Sequence, residues 1–244
     1  MTADHPLLAV IWDFDGTLVD THAKNLNVTR TIFARLTGRD PDGVPALSSV
    51  ATYARLIRRT SNWRTLYMDE FGFTADQTNR AGELWADYQL RDDTPALLYP
   101  GIPEVVQALA HTPQGIFSQN SRETISGVLK RERLAGHFRM IVGYEEVSWE
   151  QQKPEPDGLI ACIEALTDRT AGYVLYVGDH ETDARCGQNG NRALALRGVD
   201  IRVRVVGAAY GGGAPEDWTS GVDHTATTAR DVLTIAHQYA GTNR

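Results

Sequence analysis

Hydrophobic residues fall along this chain in short continuous runs that alternate with stretches of helical periodicity. Leu7-Leu8-Ala9-Val10-Ile11-Trp12 is apolar at every position and breaks into Asp-Phe-Asp-Gly. A strand covered on both faces of a parallel sheet reads this way. Gly115-Ile116-Phe117, Met140-Ile141-Val142 and Tyr173-Val174-Leu175-Tyr176-Val177 repeat the pattern, and Val203-Arg204-Val205-Val206 is a more polar version of it. Between them, Pro103 to Leu109 places Val105, Val106 and Leu109 at helical spacing with Pro103 near the first turn. Thr124 to Leu134 repeats through Ile125, Val128 and Leu129, and Gly158 to Leu166 through Leu159, Cys162, Ile163 and Leu166. Strands alternating with helices predict an α/β fold with a doubly wound parallel sheet.

From about Asp20 to Thr94 no strand-like run occurs. Residues 29–36, 52–57, 63–71 and 81–90 are candidate helices there, so a core of residues 1–19 and 95–244 is expected to carry an inserted α-helical unit of residues 20–94. Thr94-Pro95 and Tyr99-Pro100-Gly101 mark the return with turn-forming residues. Gly211-Gly212-Gly213-Ala214-Pro215 reads as a flexible loop, and Thr228 to Tyr239 as a closing helix.

Composition narrows the class. A chain of 244 residues that is 42% hydrophobic and 23% charged can bury a core and is not disordered. No apolar run approaches the roughly 20 residues that cross a bilayer, and Met1 to Pro6 has no signal-peptide pattern, so a cytoplasmic location is expected. Net charge of −7 argues against nucleic acid or an anionic membrane as partner. An anionic substrate must then be held by a local device. Cys162 and Cys186 stand in no metal or redox spacing and are expected to be buried free thiols.

Ligands of an open parallel sheet collect at the carboxyl ends of its strands, which directs attention to the polar residues after each apolar run. Asp13-Phe14-Asp15-Gly16-Thr17-Leu18 sets two carboxylates on one side of an extended segment, with Gly16 permitting a sharp exit. That pair suits metal binding, or a division of labour between nucleophile and acid; the plain alternative is an Asp-Gly turn. A calcium loop does not fit, because Gly16 comes too early and a strand precedes the motif. In Ser118-Gln119-Asn120-Ser121, Ser121 stands three residues before Thr124, as a helix cap would. Lys153-Pro154-Glu155-Pro156-Asp157 is a lysine whose backbone the prolines are expected to hold extended. Gly178-Asp179-His180-Glu181-Thr182-Asp183 opens a helix, and its structural reading makes Asp179 the N-cap.

Taken in order, these four motifs resemble the haloacid dehalogenase-like superfamily across almost all of the chain outside the insertion. Tyr99-Pro100-Gly101-Ile102, Val142-Gly143 and Lys153-Pro154-Glu155-Pro156 are similar to the subgroup of phosphoglycolate phosphatases and β-phosphoglucomutases, which carries a helical cap after the first motif. Gln119 and His180-Glu181 depart from the usual pattern. The resemblance implies a Rossmann-like core with Asp13 as nucleophile and Asp15 as general acid and base. It also implies Mg²⁺ held by Asp13, the Asp15 backbone carbonyl and Asp179, with Asp183 behind them or reaching the ion through water. Ser118 would donate to a phosphoryl oxygen and Lys153 would supply fixed positive charge. Elementary chemistry agrees: an ionised carboxylate needs no activating base, while a phosphate dianion repels it unless positive charge is placed nearby.

Asp15 also separates relatives, because a halide leaves without a proton and a dehalogenase needs no acid there. Phosphonate hydrolysis in the family uses a cap lysine, and Lys24 is the only lysine of the insertion. The expected activity is hydrolysis of a small phosphorylated metabolite through an aspartyl-phosphate, by a monomer or homodimer. A β-phosphoglucomutase-like phosphotransferase and a non-catalytic interaction protein are the alternatives. Arg55, Arg58, Arg59 and Arg64 occur in the insertion between Ala51 and Tyr67 without an acidic residue. They form either a solvated helix face or an anion-recognising surface, with Asn62 or Trp63 helping to select the leaving group. His22, Asn25 and Asn120 are further candidate substrate contacts.

Overall fold

The computed structural model of the chain describes residues 5–60 and 63–240, so Asn62 lies outside the described residues. One sheet contains six strands: β1 (Leu7–Trp12), β2 (Gln114–Phe117), β3 (Met140–Val142), β4 (Ala171–Gly178), β5 (Asp200–Ala208) and β6 (His224–Ala226). Their order is β3-β2-β1-β4-β5-β6, and every pairing is parallel. The chain builds outward from β1 through β2 to β3, then crosses to β4 on the other side of β1. The order therefore reverses beside β1, the switch point at which such sheets bind ligands. Trp12 pairs with both Ile116 and Val177, which brings the ends of β1, β2 and β4 level.

The apolar runs form strands because both faces are covered. Ala9, Val10, Ile11 and Trp12 are fully buried, and Leu8, Ile11, Phe117, Val174 and Tyr176 share a core with Leu159, Ile163 and Leu166 of the helix Asp157–Leu166. Burying each such side chain stabilises the fold by roughly 1.5–3 kcal/mol. Trp12 Nε1–H finds Gln114 Oε1 at 3.1 Å, which keeps the large indole satisfied inside the sheet. Both cysteines are buried and free, as expected. Strands β4 and β5 run longer than their apolar runs, and β6 was not anticipated because His224-Thr225-Ala226 is too short and polar to show a period.

The flanking helices are Ile102–Ala108, Arg122–Arg131, Asp157–Leu166, Glu181–Leu196 and Ala229–Ala240. Ser121 caps the second of them, its Oγ accepting from Thr124 N at 3.1 Å. Asp179 does not cap the helix that follows it. His180 does so, its Nδ1 accepting from Thr182 N at 3.0 Å, and Asp183 completes the capping box.

The chain separates into two compact units, one running to Val19 and resuming at Leu98, the other spanning Asp20–Leu97. Val19–Asp20 and Leu97–Leu98, where the chain passes between them, pair as a short ribbon. The inserted unit holds the helices His22–Thr37, Val50–Arg59, Trp63–Phe71 and Ala75–Arg91 around its own core of Ile32, Phe33, Leu47, Tyr53, Leu66 and Tyr67. The last begins six residues before its apolar period, at a reciprocal cap between Thr74 and Gln77. Among the described residues no helix is long and apolar enough to cross a membrane.

Candidate active site

Four carboxylates and one ammonium gather at the carboxyl ends of β1 and β4. Asp13 follows β1 directly, its N–H donating to Val177 O at 2.8 Å, so the backbone of β4 fixes where its side chain starts. Gly16, at φ 81°, turns the chain away; a Cβ there would meet Asp179 Oδ2 at 2.1 Å. Only glycine lets this turn approach the Asp179 carboxylate so closely. One oxygen from each of Asp13, Asp179 and Asp183 lies within 4.8 Å of the others.

Lys153 reaches this cluster from the long segment after β3. Its Nζ donates to Asp13 Oδ1 at 2.6 Å and to Asp183 Oδ1 at 2.8 Å. The same ammonium lies 5.0 Å from the Phe117 ring centroid and 5.4 Å from that of Tyr176, so two aromatic faces help hold the charge. The backbone here is not the extended segment expected: Lys153–Pro154 is a cis bond within a turn that leads into the helix Asp157–Leu166. Burial alone would lower the Lys153 ammonium, but Asp13 and Asp183 outweigh it and hold the charge above its ordinary range. Burial, with Asp183 and Asp15, pushes the Asp13 carboxyl up to about 7 against the pull of Lys153. Burial and the neighbouring Asp13 and Asp183 raise Asp179 as well.

Asp183 is the best-satisfied member. Its Oδ1 accepts from Lys153 and from Tyr176 Oη at 2.9 Å, and its Oδ2 accepts from His180 N at 3.2 Å. It therefore anchors the lysine. Ser118, after β2, is 1% exposed, and its Oγ accepts from Asn120 N at 3.1 Å, leaving the hydroxyl hydrogen available to donate. Asn120 Nδ2 donates to Asp15 Oδ2 at 3.0 Å and Oδ1 at 3.2 Å.

Two of the residues that depart from the family pattern have structural work. His180 caps its helix and Glu181 accepts from Ser220 N at 3.1 Å, whereas Gln119 is exposed and has no such role among the described residues. The candidates of the inserted unit stand apart from this cluster in sequence and are engaged locally. His22 Nδ1 lies 2.9 Å from Asp20 Oδ1, and Asn25 is held by Thr21 and Gln89. Lys24 is buried, with its ammonium donating to the Asp92 carbonyl. Arg55, Arg58 and Arg59 share the exposed face of Val50–Arg59 and pair with no described residue, whereas Arg64 donates to Asn79 and lies over Trp63.

Two residues near the cluster escaped the sequence reading. Tyr176 sits inside an apolar run, where nothing marks its hydroxyl as a partner of Asp183. Tyr210 belongs to the segment after β5, whose glycines do not make a free loop. A Cβ on Gly211 would fall 1.8 Å from Gly16 O, and one on Gly213 would fall 2.5 Å from Asp179 O, so their small size allows a close approach to the site. The Tyr210 hydroxyl is buried without a partner among the described residues, and burial followed by the charge of Asp179 raises its pKa. An aromatic residue beside a glycine run at a strand end was the available signal.

The donor set suits a hard cation. Four carboxylates face one ammonium, all the donors are oxygens, and burial together with the neighbouring carboxylates pushes Asp13 and Asp179 upward, a cost that a bound cation would relieve. Residues that could hold such an ion are Asp13 and Asp179 through their carboxylates and Asp15 through its carbonyl, with Asp183 already occupied by its own partners.

Comparison with known proteins agrees with the fold and motifs. Phosphoglycolate phosphatase of Synechococcus elongatus is 29% identical over 205 residues, covering 82% of this chain and 89% of the relative. Pyrophosphatase PpaX of Listeria monocytogenes is 25% identical over 194 residues, covering 78% and 82%. A crystal structure from Lactobacillus plantarum, whose protein carries a phosphoglycolate phosphatase assignment, superposes with a TM-score of 0.74 at 20% identity over 94% of this chain and 99% of its own; it speaks to the fold. Residues 10–196 match the family described as haloacid dehalogenase-like hydrolase, a span that takes in all four motifs. The chain belongs to the haloacid dehalogenase-like hydrolase family.

Proposed function

We propose that this hydrolase is a Mg²⁺-dependent phosphatase that cleaves a small phosphate monoester through an aspartyl-phosphate on Asp13. The observation that carries the reading is the buried Asp13 carboxylate held at 2.6 Å by Lys153, with a second carboxyl, Asp15, two residues further along the same turn. Relatives named for hydrolysis of phosphoglycolate and of pyrophosphate support phosphorus as the atom attacked.

In this reading the Asp13 carboxylate attacks phosphorus while the bond to the leaving oxygen breaks. The Asp15 carboxyl gives its proton to that oxygen, and its carboxylate then takes a proton from the water that attacks the phosphoenzyme. Free phosphate leaves and Asp13 is restored. Lys153 and the Ser118 hydroxyl stabilise the equatorial oxygens as their charge grows. Mg²⁺, when bound by Asp13, Asp179 and the Asp15 carbonyl, supplies the positive charge that lets an anionic nucleophile meet an anionic substrate.

Metal removal provides the first test. Excess EDTA should abolish turnover, and Mg²⁺ should also raise the thermal midpoint. In the metal-free protein Asp13 is pushed from 3.8 to about 7, so between these values the folded state keeps a proton that the unfolded chain has lost. Stability from this group accordingly falls as pH rises through that window. The Mg²⁺-induced rise in midpoint should be larger near pH 7 than near the lower end of the window. Full activity in EDTA with verified metal content, together with a midpoint indifferent to Mg²⁺, would contradict the metal assignment.

The inserted unit is assigned the role of a cap that chooses the substrate, on the strength of three exposed arginines without acidic partners in a protein of net charge −7. Replacing Arg55, Arg58 and Arg59 together by alanine should lower kcat/KM for an anionic metabolite by about tenfold or more, from loss of charge-assisted contacts. Aryl phosphate hydrolysis should change much less. Equal behaviour toward both substrates would make these arginines a solvated face. The same metabolite panel separates the phosphotransferase alternative, which would return an isomer instead of free phosphate.

A further inference from the structure

We propose that Asn120 is a positioning residue for the acid–base carboxyl of Asp15 and makes no contact with substrate. This rests on the proposed role of Asp15 and assigns that role a support. Asn120 is 3% exposed, and all of its polar groups are spent inside the protein. Its N–H donates to Ser118 Oγ at 3.1 Å, its carbonyl accepts from Tyr144 N at 3.1 Å, and its side-chain Oδ1 accepts from Ser121 N at 2.8 Å. The last contact fixes the amide orientation, because a backbone N–H requires the oxygen at that end. The opposite end must then be the NH₂ group, and it faces both oxygens of Asp15, at 3.0 and 3.2 Å.

The arrangement has a geometric consequence. Asp15 stands on the exit turn after β1 and is only partly buried, so contacts to its carboxylate decide which rotamer it holds. An amide clamped by a helix N-terminus holds the carboxyl plane fixed. Through Ser118, the same residue ties that plane to the hydroxyl assigned to the phosphoryl group. Proton transfer to a leaving oxygen depends steeply on such alignment, and misplacement by about 1 Å can cost roughly 100-fold.

The test compares kcat/KM, which reports phosphoenzyme formation, for an alkyl phosphate and for an aryl phosphate whose leaving group needs little protonation. Asn120→Ala should lower the alkyl value by roughly 10- to 100-fold and the aryl value by much less. In an Asp15→Asn background, Asn120→Ala should add little further loss. Should the alanine variant fail to fold, Asn120→Asp keeps an oxygen for Ser121 N while setting a carboxylate against Asp15, and the same selective loss is expected. Equal losses on both substrates, multiplying with Asp15→Asn, would make Asn120 a substrate contact and overturn the proposal, as would unchanged kinetics in a folded variant. Asp15→Asn alone retaining full alkyl phosphatase activity would instead remove the role given to Asp15, so the two failures are distinguishable.

Discussion

Asp13→Asn should reduce turnover by roughly four orders of magnitude or more, the scale seen when a covalent nucleophile is removed from a working site. The amide keeps the size of the carboxyl and can still accept from Lys153, but it cannot form the acyl-phosphate bond. The fold should survive. Burial already pushes the Asp13 carboxyl up to about 7, so burial favours the uncharged form that the amide resembles, and Asp183 still pairs with Lys153. The thermal midpoint of the metal-free variant should therefore stay close to that of the parent, which separates lost chemistry from lost structure. Asp15→Asn should behave differently, retaining partial turnover of aryl phosphates while losing alkyl substrates. An Asp13→Asn enzyme working near the parental rate would falsify the nucleophile.

Much of this could be seen in the sequence because β1, β2 and β3 end where their apolar runs end, and β4 ends one residue later. The runs closing at Trp12, Phe117 and Val177 bring Asp13, Ser118 and Asp179 to one edge of the sheet, and a parallel order follows from the intervening helices. Lys153 was harder to place, since it arrives from an irregular segment eleven residues beyond Val142 and its meaning depended on the other motifs. Helix boundaries in the insertion were set by polar signals outside the apolar period, such as the cap of Thr74 and Gln77. The contacts of Asn120 and Tyr176 were not legible, because a side chain's distant partner leaves no mark on its own local pattern. Asn120 shows this well: nothing in Ser118-Gln119-Asn120-Ser121 marks that its amide donates to Asp15.

Lys153→Met should be the most destabilising single change in the site. Its side chain is 3% exposed, and it is the ammonium that both Asp13 and Asp183 share. Methionine fills similar volume between Phe117 and Tyr176 but leaves two buried carboxylates without their cation. Removing one partner of a buried charge set costs about 3–5 kcal/mol. For a protein of this size each kcal/mol moves the midpoint by about 2–4 °C, so metal-free protein should melt roughly 6–20 °C lower. Turnover should also fall by about 10²- to 10³-fold, since fixed positive charge beside the phosphoryl oxygens is lost. Adding Asp183→Asn should recover part of the stability and none of the activity. A metal-free Lys153→Met protein that melts like the parent would mean these carboxylates do not need the lysine.

The central claim is that phosphorus is transferred to Asp13, and the most direct measurement is mass spectrometry of the enzyme quenched in acid during turnover. The Asp15→Asn variant with an aryl phosphate suits it best, because formation of the phosphoenzyme needs little acid catalysis while its breakdown has lost the base. The account predicts that the peptide carrying Asp13 gains one phosphoryl group, that fragmentation locates it on that side chain, and that it disappears when Asp13→Asn is introduced. Steady turnover with no phosphorylated peptide at any quench time, or a phosphoryl group on another residue, would contradict it.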